Sequence, residues 1–120
     1  MTAADLTLVT IVAERVLESR IAEDIKAAGA TGYTVGDARG EGSRHVGSHT
    51  FEGRNIRFEV IAGRAVAQRI LDVVAERYFP HYGVIAFLTD VTVVRGEKYL
   101  GTEPDSTGQG SDSDMTGEPS

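Results

Sequence analysis

The segment of this chain best equipped for chemistry is Arg39-Gly40-Glu41-Gly42-Ser43-Arg44. Two glycines in three positions let the backbone turn its N–H groups toward one point, and such a concavity attracts anions. Ser43 adds a hydroxyl donor, and the Arg44 guanidinium can fork onto phosphate oxygens. Arg39, Arg54 and Arg57 come near the same point if the segment leaves one strand and returns along its hairpin partner. The competing reading is a plain solvent-exposed connection. A P-loop is excluded, because no Lys-Ser/Thr pair follows the second glycine and no helical pattern comes after it.

Other reactive side chains are sparse. The three histidines are His45, His49 and His81, and the first two stand four residues apart in a glycine-laden stretch without helical periodicity. They read as loop imidazoles that titrate near pH ~6.5, with a zinc or copper site as the alternative. Tyr78-Phe79-Pro80-His81-Tyr82 could stack on a base, but its place at the end of an amphipathic helix favours packing in a core or between subunits. Glu14, Glu18, Glu23 and Asp24 fit solvated helix faces, and no carboxylate pair is spaced for acid–base work. The chain has no cysteine, so disulfides, thiolate metal sites and thiol nucleophiles are all excluded.

The elements that must position the loop follow from periodicity. Asp5-Leu6-Thr7-Leu8-Val9-Thr10-Ile11-Val12 is rich in β-branched residues and predicts a strand. Leu17, Ile21, Ile25 and Ala28 recur at helical spacing, with Gly29 as the C-terminal cap. Gly32-Tyr33-Thr34-Val35 opens a second strand, which enters the polar stretch from Arg39 to Gly53. Ile56, Phe58 and Val60 alternate with Asn55, Arg57 and Glu59, the pattern of a half-buried strand. Val66, Ile70, Val74 and Tyr78 mark a second helix that Pro80 stops. Val84-Ile85-Ala86-Phe87-Leu88, continuing through Val91, Val93 and Val94, makes the last strand. The order is βαββαβ, an α+β ferredoxin-like sandwich with an antiparallel sheet and two helices on one face. The other face needs a cover, and copies of the same chain are the economical one, which predicts a homo-oligomer.

Composition narrows the partners. The 120 residues carry a net charge of −6, but residues 101–120 hold Glu103, Asp105, Asp112, Asp114 and Glu118 and no Lys or Arg. The remaining 100 residues are therefore nearly neutral, at −1. A body so balanced lacks the basic excess of a nucleic-acid binder. The tail is Gly, Ser, Thr, Pro and acid with Met115 as its one large apolar residue, a composition expected to stay disordered. The chain is thus expected to divide into a folded domain over residues 1–100 and an acidic tail over 101–120. No apolar run reaches the roughly 18–20 residues of a membrane span, and no secretion signal is expected at the amino terminus.

Gly29-Ala30-Thr31-Gly32-Tyr33-Thr34-Val35, the loop Gly40-Glu41-Gly42-Ser43-Arg44, Tyr78-Phe79-Pro80-His81-Tyr82 and Val93-Val94-Arg95-Gly96-Glu97 together resemble the PII-like signalling proteins. The resemblance covers residues 6–100 and is strongest to the SbtB type, linked to inorganic-carbon uptake. It implies a ferredoxin-like homotrimer that binds adenine nucleotides (AMP, ADP, ATP or cyclic AMP) in clefts between subunits and needs no metal. It also implies a T-loop, here about Arg39–Gly53, that signals to a membrane transporter of the bicarbonate type. The protein would then be cytoplasmic, and peripheral at the inner membrane through that partner. Carried over residue by residue, the resemblance assigns Gly40, Gly42, Ser43 and Arg44 to the phosphates and Thr34 to the end of the second strand near the nucleotide. Glu59 matches an acid of the third strand, and the backbone of Gly83, Val84 and Ile85 would pair with the adenine edge. Arg95 falls where nitrogen-signalling PII proteins place an arginine on the phosphates.

Four departures shape the functional expectation. Val84 replaces the lysine that nitrogen-signalling PII proteins carry after the glycine of the last strand, which weakens the case for a triphosphate and for 2-oxoglutarate. The loop has no tyrosine for uridylylation. Glu41 and Gly47 stand where some SbtB-type proteins place a lysine and a second arginine, which lowers the pull on polyanions. The tail has no cysteine for a redox lock. The expected function is a non-catalytic regulator whose loop changes order with the ligand. The alternatives are a slow nucleotide phosphohydrolase using the same cleft, for which only Glu41 and Glu59 supply carboxylates, and a trimeric metal-tolerance protein, which so few histidines disfavour.

Overall fold

Alternating burial along the strands decides how this chain folds, so the architecture is best built from the sheet outward. The computed structural model describes residues 3–40 and 54–95. Its elements are β1 (Ala3–Glu14), a 3-10 turn (Arg15–Leu17), α1 (Glu18–Ala27), β2 (Thr34–Ala38), β3 (Asn55–Ala62), α2 (Arg64–Tyr78) and β4 (Ile85–Val94). The strands form one sheet in the order β2-β3-β1-β4, and every neighbouring pair is antiparallel. This is the βαββαβ ferredoxin-like fold expected from the element order.

One face of the sheet supplies the core. Val9, Ile11 and Ala13 of β1 align with Val60, Phe58 and Ile56 of β3, and all six are at most 2% exposed. Over them lie the apolar stripes of the helices: Ile21, Ala22 and Ile25 of α1, and Val66, Ala67, Ile70, Val74 and Tyr78 of α2. The 3.6-residue repeat puts these side chains on one side of each helix, and full burial of each large apolar one contributes about 1.5–3 kcal/mol. Phe79 caps α2 and Pro80 follows, where the missing N–H prevents another helical turn.

The two helices are also clamped to each other. Asp24 of α1 is 8% exposed, and its carboxylate accepts a 2.5 Å hydrogen bond from the buried Tyr78 hydroxyl and a 3.1 Å one from Arg77. Burial first, and the Asp24 carboxylate second, push the Tyr78 hydroxyl up to about 12. Asp24 is therefore a buried structural acid rather than part of a solvated face. At the far end of α1, Gly29 adopts φ +111°, a left-handed turn that favours glycine, and Arg69 Nε donates to the Ala28 carbonyl at 3.1 Å.

Boundaries differ from the sequence reading at several ends. β1 is longer than Asp5–Val12, because cross-strand pairing with both β3 and β4 carries it to Glu14 at one end and Ala3 at the other. Leu17 belongs to the 3-10 turn rather than to α1. β2 starts at Thr34, not Gly32, and β4 starts at Ile85, not Val84. Tyr33 sets its ring edge-on to Phe58 with centroids 5.4 Å apart. Residues 41–53 and 96–120, which include most of the expected loop and all of the acidic tail, lie outside the described residues. Among the described residues no helix is long and apolar enough to cross a membrane.

Candidate functional site

The face of the sheet away from the helices holds the features the core does not explain. Alternation puts Leu6, Leu8, Thr10, Val12 and Glu14 of β1 on it, together with Arg57, Glu59 and Ile61 of β3 and Ile85, Phe87, Thr89 and Val91 of β4. Ile85 and Phe87 are 59% and 46% exposed, unusual for apolar residues of this size on a sheet. A polar row crosses this apolar surface. Thr34 of β2 aligns with Glu59 of β3, Glu59 with Thr10 of β1, and Thr10 with Phe87 of β4. The next row toward the β2–β3 connection runs Gly36, Arg57, Val12, Ile85.

Arg57 and Glu59, two residues apart on one face of β3, form an ion pair with Nε 3.4 Å from Oε2. Both side chains are about half exposed, at 52% and 43%, so the pair is weak and open to competition. Beside Arg57, a Cβ at Gly36 would meet no described atom within 4 Å. Thr34, Gly36 and Ala38 therefore make a low bed of small side chains along the edge strand, overlooked by Arg57 and Glu59. The 2.5 Å ion pair of Arg15 with Asp37 and the 3.0 Å hydrogen bond from Arg15 N–H to the Arg54 carbonyl join the end of β1 to both arms of the hairpin.

The residues expected to form the site divide into three groups. Thr34 and Glu59 face each other on the open side, and Gly40 follows closely on β2 at the hairpin's mouth. Gly83, Val84 and Ile85 lie at the same end of the sheet, since Ile85 shares a row with Arg57 and Gly36. β4 is an edge strand, so backbone N–H and C=O groups along its outer side are free, among the described residues, to pair with a planar hydrogen-bonding edge. Arg95 stands apart. It follows β4 at the opposite end, beyond the Ala3–Val94 pair, with φ 71°. At about 3.4 Å per residue, β4 separates it from Ile85 by roughly 30 Å. Gly42, Ser43 and Arg44, like His45 and His49, lie outside the described residues. Among the described residues no group of three or more His, Asp or Glu side chains is gathered as for a metal ion.

Sequence reasoning missed two members of this surface. Gly36 carried no signal beyond being one of 14 glycines, and only register shows that it faces Arg57. Thr10 looked like one more β-branched strand residue, yet it is 1% exposed and its hydroxyl has no hydrogen-bond partner among the described residues.

With this geometry in hand, similarity to known proteins becomes informative. Residues 6–98 match the family model described as Nitrogen regulatory protein P-II. The chain is 54% identical to a PII-like signaling protein from Thermus thermophilus, with a TM-score of 0.72 over 83% of this chain and 100% of that one. It also superposes on CPII from Thiomonas intermedia bound to ADP, AMP and acetate, with 17% identity, a TM-score of 0.73, and coverage of 83% and 99%. The same protein bound to ADP and bicarbonate gives 20%, 0.69, and 82% and 97%. At such identities the CPII structures speak for the fold alone. The family model and the Thermus relative carry the assignment: this chain belongs to the nitrogen regulatory protein P-II family.

Proposed function

We propose that this protein is a PII-like regulator: a homotrimer that binds adenine nucleotides (AMP, ADP, ATP or cyclic AMP) in clefts between its copies and signals through the loop around residues 39–53. Its target in this reading is a membrane transporter of the bicarbonate type. The observation that supports it most is the division of the site. Thr34, Glu59, Gly40 and the Gly83–Ile85 backbone gather at one end of the sheet, while Arg95 sits at the other. One chain cannot bring Arg95 to the hairpin's mouth, whereas a second copy can. The exposed Ile85 and Phe87 give that copy an apolar surface to cover. Family membership favours regulation over catalysis, and a fold shared with a Thiomonas protein that holds ADP, AMP and bicarbonate makes that ligand class the one to test first.

The physical logic is a loop whose order differs between ligand states because the ligands make different contacts with it. Backbone N–H groups around Gly40 and Gly42, the Ser43 hydroxyl and the Arg44 guanidinium would meet the phosphates, and Arg95 of a neighbouring copy would close over them. Titration calorimetry with AMP, ADP, ATP and cyclic AMP tests the reading. At least one should bind saturably, and Arg44→Ala should weaken it about ten- to a hundredfold, the loss of one charge-assisted contact. No heat and no thermal shift with any of the four overturns the nucleotide reading. A monomeric mass by light scattering overturns the trimer.

A further inference from the structure

We infer that Glu59 has two alternative partners, Arg57 in the free protein and Thr10 when an anionic ligand occupies Arg57, which makes Thr10 a positioning residue for nucleotide binding. The inference rests on the nucleotide reading above and adds the means by which an anion's arrival is registered in the sheet.

Thr10 Oγ1 is enclosed yet has no hydrogen-bond partner among the described residues, and its residue is 1% exposed. An enclosed hydroxyl without a partner is costly, so a nearby acceptor that becomes available is taken up. The side chain directly across from it on the same face is Glu59, its register partner on β3. Opposed residues of antiparallel strands have Cβ atoms about 4.5–5.5 Å apart, within reach of a threonine hydroxyl and a glutamate carboxylate. Glu59 instead leans along its own strand to Arg57, at 3.4 Å, in a pair half open to water. Arg57 in turn overlooks the bed of Thr34, Gly36 and Ala38, where the missing side chain of Gly36 leaves it approachable.

A phosphate settling there offers Arg57 a doubly charged partner with several acceptor oxygens, which displaces a weak carboxylate contact. Released from Arg57 and repelled by the phosphate, Glu59 turns across the sheet and accepts the Thr10 hydroxyl. The hydrogen bond exists only in the bound state, so its free energy adds to ligand affinity and not to the stability of the free protein.

ADP titration of the full chain and of two variants tests this, with urea unfolding of each free protein. Thr10→Val keeps the shape and removes the hydroxyl. Its unfolding midpoint should equal or exceed that of the parent, while its ADP Kd rises about tenfold. Thr10→Ser restores the hydroxyl and should return the Kd to within about twofold, which a packing role would not do. In a Glu59→Ala background, Thr10→Val should change the Kd no further. The inference fails if Thr10→Val binds ADP as tightly as the parent, or if it unfolds at lower urea, because the hydroxyl would then have a partner in the free protein. A parent that binds no ADP refutes this inference, and one that binds none of AMP, ADP, ATP and cyclic AMP refutes the nucleotide reading with it. A parent that binds ADP with Thr10→Val unaffected refutes this inference alone.

Discussion

Removing one oxygen atom from Tyr78 should separate the two helices' polar clamp from their apolar packing. Tyr78→Phe keeps the buried ring among Ile25, Ile70 and Val74 but deletes the hydroxyl that donates to Asp24 at 2.5 Å. Among the described residues Asp24, 8% exposed, then keeps only the Arg77 side chain at 3.1 Å. A hydrogen bond to a charged acceptor contributes about 1.5–3 kcal/mol, so the variant should lose about that much in urea unfolding at pH 7. The alkaline limb gives an independent reading. The Tyr78 hydroxyl is neutral when protonated, and in the folded protein its pKa is pushed up to about 12 from an ordinary 10.0. Between those values the folded state holds more protons than the unfolded one, so stability is fully present below pH 10 and falls as pH rises toward 12. Two units correspond to at most about 2.7 kcal/mol. The quantity to compare is the difference between parent and Tyr78→Phe across this window, which isolates the Tyr78 hydroxyl. That difference should shrink steadily from pH 10 upward. A variant with unchanged stability at pH 7, or a difference that stays constant to pH 12, would refute the clamp.

Two further outcomes follow from the fold. Gly29→Ala forces a Cβ into a φ of +111°, with Arg69 and Val66 atoms at 3.4 and 3.5 Å, and should cost about 1–2 kcal/mol in the same unfolding assay. Phe87→Asp places a charge within the exposed apolar face and should shift the mass seen by light scattering from trimer toward monomer while circular dichroism keeps its helical signal. A trimer that survives this change would move the interface elsewhere.

Most of the architecture was legible because it is written in short-range periodicity. Ile56, Phe58 and Val60 alternate with polar residues, and Val66, Ile70, Val74 and Tyr78 repeat at helical spacing, so each element declares its own buried face. What could not be read was pairing across long separations. Asp24 and Tyr78 lie 54 residues apart and Arg15 and Asp37 lie 22 apart, and neither pair has a local pattern. The start of β2 was misplaced because the strand-like Tyr33 uses its ring against Phe58 rather than extending the ladder. The glycine-arginine stretch points to an anion site by composition alone, and its residues beyond Gly40 lie outside the described residues. Which strand residues share a face with Arg57 and Glu59 depends on register, so Gly36 and Thr10 became visible only with the sheet assembled.

The length of β4 has one more consequence. Because roughly 30 Å of strand lies between Ile85 and Arg95, no mononucleotide spans both within a single chain. A small molecule that touches the two ends must therefore stitch separate chains together, and its apparent affinity would weaken on dilution as the assembly comes apart. Such a molecule acts as mortar as well as message, and the cell's stock of the protein sets how faintly the message can be heard.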